Sequence, residues 1–124
     1  MFALTAASAL AGCEQTAATP TVVYDRVTLN AKYQAVTDMV KMPVCSTSPQ
    51  CSSVGIGAKP CGGPWRYLVY SKVNVNAQEL QRRVDDLFAF EREYNRRNGI
   101  ASDCSVARAA TPGCVDGFCI DLNA

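Results

Sequence analysis

Seven cysteines carry most of the chemistry open to this chain: Cys13, Cys45, Cys51, Cys61, Cys104, Cys114 and Cys119. An odd number ordinarily leaves one thiol over. Here the spare one is Cys13, at the end of an apolar N-terminal run, and the other six read as three disulfides made in an oxidising compartment. The competing reading is a cytosolic Cys-rich metal site. It needs closely paired ligands such as Cys-x-x-Cys, and the shortest spacings here are Cys114 to Cys119 and Cys45 to Cys51. Disulfides are therefore expected, with no metal and no other cofactor. The chain has no histidine, so by itself it builds no Ser-His-Asp triad, Cys-His dyad or imidazole metal site. No catalytic residue is assigned.

The remaining polar groups form no reaction signature. Gly55-x-Gly57 and Gly62-Gly63 are not followed by the Gly-Lys-Ser/Thr of a phosphate-binding loop. Asp85 and Asp86 point in different directions on a helix, and Asp103, Asp116 and Asp121 lack a calcium-loop pattern. These acids read as solvated surface groups. Arg82, Arg83, Arg92, Arg96 and Arg97 are interleaved with Asp85, Asp86 and Glu93 and read as a solvated helix face. Twelve basic residues against eleven acidic ones give a net charge of +1, which calls for no nucleic acid or other polyanion as partner.

The N-terminus reads as an address. Phe2 to Ala11 are apolar or small apart from Thr5 and Ser8, too short a run to cross about 30 Å of hydrocarbon as a helix. A signal-peptide core fits better. Leu10-Ala11-Gly12-Cys13 resembles the bacterial lipobox. The resemblance implies a diacylglycerol thioether on Cys13, cleavage after Gly12, and anchoring of the mature chain to a membrane through its acyl groups. A signal peptide ordinarily opens with Lys or Arg, whereas only the Met1 amine is positive here; a start upstream of Met1 would account for the departure. Glu14 stands where lipoproteins retained in the inner membrane typically carry Asp, which points to the outer membrane, facing the periplasm. The expected organisation is a signal peptide over residues 1–12, a lipid-anchored tether over 13–20, and one disulfide-stapled domain over 21–124. Apolar residues make up 48% and charged residues 19%, as in a globular domain.

Several elements must position these groups. Thr21 to Asn30 is rich in β-branched residues and predicts a strand with Val22, Tyr24 and Val27 inward. Ala31 to Met42 fits a helical stripe or a loop equally well. Ser52 to Gly57 predicts a short strand, and Arg66 to Ser71 a second one, central in its sheet because neither face is polar throughout. The strongest element is a helix from Ala77 to about Asn98. Asn76 caps it, and Leu80, Val84, Leu87, Phe88, Glu91 and Tyr94 form a stripe that is apolar except at Glu91. Arg96-Arg97 oppose the negative end of its dipole, and Gly99 supplies a left-handed cap. Ser102 to Arg108 and Pro112 to Leu122 read as strands. Asp116-Gly117 is a two-residue hairpin turn that sets Val115 opposite Phe118 and Cys114 opposite Cys119. At a non-hydrogen-bonded site the two Cα atoms lie about 4.5 Å apart, so a Cys114–Cys119 cross-strand disulfide is expected. The fold class is α+β: a small antiparallel sheet with one long helix packed on it, and three disulfides.

The most distinctive block is Lys59-Pro60-Cys61-Gly62-Gly63-Pro64-Trp65, followed by Tyr67-Leu68-Val69-Tyr70-Ser71, Asn98-Gly99-Ile100 and Ser102-Asp103-Cys104. With these motifs in this order, residues 51–119 resemble a family of small bacterial envelope lipoproteins. The resemblance implies an envelope lipoprotein with a strand–helix–strand order and carries no activity with it. Two glycines between Cys61 and Pro64 permit a tight turn that the prolines restrict further. One reading is a connector whose Trp65 fills the core, as Trp side chains usually do. The other is a rigid, exposed binding loop with Lys59, Trp65 and Arg66 as contacts, pre-ordered and so losing less entropy on binding. In that second reading, Lys59 before Pro60 mimics a protease substrate that resists cleavage.

Two classes of function survive. One is an envelope protein acting by binding another envelope protein, as an inhibitor or immunity factor against an envelope hydrolase or protease. The other is a structural lipoprotein with no discrete ligand site. Exposure of Trp65 distinguishes them.

Overall fold

The computed structural model describes Gly12 and residues 21–124. The sequence-derived signal segment, Cys13 and the tether lie outside the described residues, apart from Gly12. The described elements are α1 (Arg26–Met39), a single 3-10 turn (Ser48–Gln50), β1 (Cys51–Ile56), β2 (Arg66–Ser71), α2 (Ala77–Asn98), β3 (Pro112–Val115) and β4 (Phe118–Asp121). The class is α+β, with two helices and two antiparallel strand pairs, β1–β2 and β3–β4. Among the described residues no helix is long and apolar enough to cross a membrane.

The helix α2 forms where the sequence places it. The Asn76 side chain accepts the Glu79 amide at 3.0 Å, and Gly99 adopts φ +59 and closes the last turn on Asn95. Glu79 lies at the helix start and pairs with Arg82 and Arg83. Leu80, Val84, Leu87, Glu91 and Tyr94 are buried as the stripe requires. Phe88 is not: it remains 40% exposed, while Phe90 is buried instead. The expected single packing partner was a sheet. In the fold, α1 also lies along α2, and its side of the helix is the side that carries Phe90, whose ring stacks on Tyr24 with centroids 4.8 Å apart.

The strand expected over 21–30 is a second correction. Asp25 accepts the Thr28 amide at 2.7 Å and starts α1 there. Leu29, Tyr33 and Val36 then complete a helical stripe, with Leu29 and Val36 buried in the core. Val22 and Val27 face solvent, so the β-branched run that predicts a strand has no sheet to join. The run 102–108 is not a strand either. Asp103 Oδ1 accepts both the Ser105 amide and its hydroxyl, a local turn with Cys104 at φ +58 that bends the chain away from a ladder.

Strand β2 belongs to a two-stranded sheet and so is not central. It pairs with β1 in the register Cys51↔Ser71 to Ile56↔Arg66. The hairpin β3–β4 has the register expected, with Val115↔Phe118 and Cys114↔Cys119. The bond expected between those two cysteines is absent. Cys45 bonds Cys114, Cys51 bonds Cys119, and Cys61 bonds Cys104, with Cα separations of 6.0, 5.5 and 5.2 Å. Opposed residues of a hairpin share one face. Here that face lies against the chain around β1, so each sulfur meets a partner there before it meets its neighbour. Backbone hydrogen bonds from Cys45 to Gly117 and from Cys119 to Pro43 hold the same junction.

Candidate functional site

The loop between β1 and β2, residues 57–65, is fixed from three directions. Trp65 donates its amide to Ile56 at 3.0 Å, closing the loop base. Inside it, the Lys59 amide donates to Gly63 at 2.9 Å and the Gly62 amide to Lys59 at 2.8 Å, with Gly62 and Gly63 both at positive φ. Those angles are why the sequence carries a glycine pair here. The Cys61–Cys104 disulfide ties the loop tip to the segment that follows α2.

From below, the loop rests on Glu91. Its Oε1 accepts the Ala58 amide at 2.5 Å, the Trp65 indole N–H at 2.8 Å and the Tyr33 hydroxyl at 2.7 Å. Glu91 is 4% exposed, so these donors do the work that water does for a surface carboxylate. Burial, then the hydrogen bond to Glu91, pushes the Tyr33 hydroxyl well above its ordinary value. Arg66 is near enough for its charge to oppose that rise. Gly57 sits at φ +79 against the same cluster: a Cβ there would meet Tyr33 Oη, Trp65 Cδ1 at 2.7 Å and Glu91 Oε1 at 2.8 Å. Asn95, one turn on, donates to the Ala58 carbonyl at 2.7 Å.

Lys59 is the lateral strut. Its Nζ donates to the Ser105 carbonyl at 2.6 Å, to Ser105 Oγ at 3.0 Å and to Asp103 Oδ1 at 3.3 Å. These three acceptors match the three donors of an ammonium group. The ammonium also lies 5.3 Å from the centroid of the Trp65 ring. Asp103 is held down to about 2 by its hydrogen bonds from Ser105 and then by Lys59, so its carboxylate is charged at neutral pH.

Of the three contacts expected from the sequence, the structure brings Lys59 and Trp65 together but leaves them with different roles. The Lys59 side chain is 6% exposed and fully engaged, which overturns its reading as a protease-substrate mimic. Trp65 divides between the two readings: its N–H is spent on Glu91, yet the residue keeps 40% exposure. Arg66 is exposed and has no ion pair among the described residues. Phe88 is an exposed aromatic beside the loop that the sequence places in the buried stripe. It lines a groove of about 710 Å³ with Pro60, Arg92 and Arg96, and a second of about 280 Å³ with Pro64, Tyr67 and Asp85. The Glu91 cluster was also missed as a site, although a carboxylate in an otherwise apolar stripe was its signal. Set against family models, curated proteins and solved structures, the chain matches none.

Proposed function

We propose that this chain is an envelope lipoprotein, anchored through Cys13, that acts by binding another protein of the envelope. The observation that supports the reading is the 57–65 loop: internally bonded, disulfide-tied and seated on Glu91, with Trp65 and Phe88 left partly bare beside it. Such a loop has little conformational freedom to lose on association. Trp and Arg are the residues that most often dominate interface energetics; Arg66 follows Trp65 in the chain, Arg92 lines a groove with Phe88, and both arginines are exposed without ion pairs among the described residues. A hydrolase or protease of the envelope is the proposed class of partner, met by exposed aromatic and cationic side chains and not by an inserted lysine.

Two measurements test this. Labelling with a fatty-acid probe should tag the wild type and leave Cys13→Ser untagged; equal labelling of both would end the anchor part of the proposal. Crosslinking capture from envelope extract should enrich a hydrolase or protease on the wild type and lose it on Phe88→Ala and Arg66→Ala. Equal capture by all three proteins would place binding away from Phe88 and Arg66, and capture of no hydrolase or protease by the wild type would leave the structural-lipoprotein reading in its place.

A further inference from the structure

The junction between the C-terminal hairpin and the rest of the chain contains four sulfurs in two disulfides. The Sγ atoms of Cys45, Cys51 and Cys119 all lie within 4.8 Å of one another, although Cys45 is bonded to Cys114 and only the other two to each other. Cys114 and Cys119 stand directly opposite on the hairpin, and Cys45 and Cys51 flank a single 3-10 turn. Cys45, Cys51 and Cys119 each therefore have a second sulfur close by, and Cys114 has Cys119 opposite it in the hairpin register. The Cys51–Cys119 bond is buried, whereas Cys45 and Cys114 are only half-buried, so a thiolate from solvent reaches the Cys45–Cys114 bond first.

We infer that these four cysteines form a thiol-triggered exchange site that toggles between two disulfide pairings: 45–114 with 51–119, and 45–51 with 114–119. The exchange is closed in atoms and electrons. A small thiolate attacks Cys114 Sγ, forms a mixed disulfide there and expels Cys45 as thiolate. Cys45 attacks Cys51 Sγ, making the 45–51 bond and expelling the Cys119 thiolate. Cys119 then attacks Cys114 Sγ, making the 114–119 bond and returning the small thiolate. No net oxidation or reduction occurs; the small thiol is a catalyst, as thiol–disulfide exchange allows.

The two pairings differ in what they connect. In the structure both bonds fasten β3–β4 to the chain around β1, across sequence separations of 69 and 68. In the alternative, each bond closes a short local loop, the arrangement that chain entropy favours, because short loops cost less to close. Among the described residues, the hairpin would then be held without covalent ties, by its hydrogen bonds to Pro43, Cys45 and Ser48 and by its packing on β1, β2 and the 3-10 turn. Its own packing is thin: Val115, Phe118, Ile120 and Leu122 all remain substantially exposed. Exchange would thus convert a covalently fixed hairpin into one free to lift away.

The test is disulfide mapping of the full chain in a Cys13→Ser background, where no further thiol competes. After incubation with glutathione without denaturant, and quenching, the linked peptides 45–51 and 114–119 should appear together. They should rise in equal amounts at the expense of 45–114 and 51–119, with 61–104 unchanged. Unchanged pairing, simple reduction of 45–114 with 51–119 intact, or scrambling that includes Cys61 and Cys104 would each overturn the proposal. A second variant needs no added thiol. In Cys114→Ser, the single unpaired thiol should be found distributed over Cys45, Cys51 and Cys119. A thiol confined to Cys45 would overturn the exchange.

Discussion

Glu91 in the middle of α2 accepts the indole N–H of Trp65 at 2.8 Å, from a residue 26 positions earlier in the chain. The same carboxylate oxygen takes the Ala58 amide at 2.5 Å, so one side chain holds the loop near both of its ends. Replacing it with an amide turns part of an acceptor into a donor facing donors. Each buried donor left without a partner costs about 1–3 kcal/mol. Glu91→Gln should therefore lower stability by about 2 kcal/mol or more in chemical denaturation. Trp65 is the only tryptophan, so its fluorescence should change in the native baseline as well. Wild-type stability with an unaltered emission spectrum would remove Glu91 from the centre of the site.

Leu87 and Phe88 are neighbours on α2 with opposite surroundings, 0% and 40% exposed. Truncating a buried leucine typically costs about 2–5 kcal/mol. Leu87→Ala should fall in that range, and Phe88→Ala should cost less than about 1 kcal/mol, partly offset by the better helix propensity of alanine. Paired denaturation curves under oxidising conditions measure both. A larger loss at Phe88 than at Leu87 would mean that the exposed ring packs in solution.

Gly57 and Gly62 both have positive φ, at +79 and +103, but only Gly57 is crowded. A Cβ at Gly62 meets nothing within 4 Å. Gly62→Ala should show only the backbone penalty, about 1–3 kcal/mol. Gly57→Ala adds a collision with Trp65 and Glu91 and should be clearly worse. Equal midpoints for the two variants would argue against the tight seat described for the loop.

Asp103 is held at about 2 in the folded chain against an ordinary 3.8. With the folded value below the unfolded one, the unfolded chain takes up its proton first as the pH falls. The stability that Asp103 carries is therefore complete well above 3.8 and drains away as the pH approaches about 2. Glu79 and Glu93, held low by Arg82 and Arg96, lose theirs in the same acid window, so the comparison must be differential. The stability gap between wild type and Asp103→Asn should be constant near neutrality and shrink between about pH 4 and about pH 2. A gap that widened over that window would contradict the Lys59–Asp103–Ser105 arrangement.

What could be read along the chain was what local signals specify. Asn76, the apolar stripe and Gly99 delimit α2 without help from elsewhere, and Asp116-Gly117 fixes the hairpin register. The disulfide partners could not be read from that register, because the register says which face the sulfurs share and not what covers that face. Phe88 and Phe90 exchanged places for a similar reason: the choice depends on α1 lying beside α2, and α1 was obscured by the β-branched run before Leu29. Within the loop, the glycine turn and the Cys61 tether were legible. The acceptors for Lys59 lie 44 and 46 positions away, and no local pattern announces them.

Among the described residues, each of the three disulfides joins a cysteine ahead of α2, at 45, 51 or 61, to one behind it, at 104, 114 or 119. A protease that cuts once between Cys61 and Cys104 thus leaves two fragments still bonded at three points, and the molecule survives the nick in one piece. Upstream of Cys45 there is no such insurance. Between α1 and that cysteine, the covalent path runs through Val40 to Val44, where Lys41 and Met42 are exposed. One scission there leaves α1 attached only by contacts such as Tyr33 to Glu91 and Lys32 to Asp86. If Cys13 is acylated as proposed, a cut in that short stretch would leave the stapled body joined to its anchor by those non-covalent contacts alone.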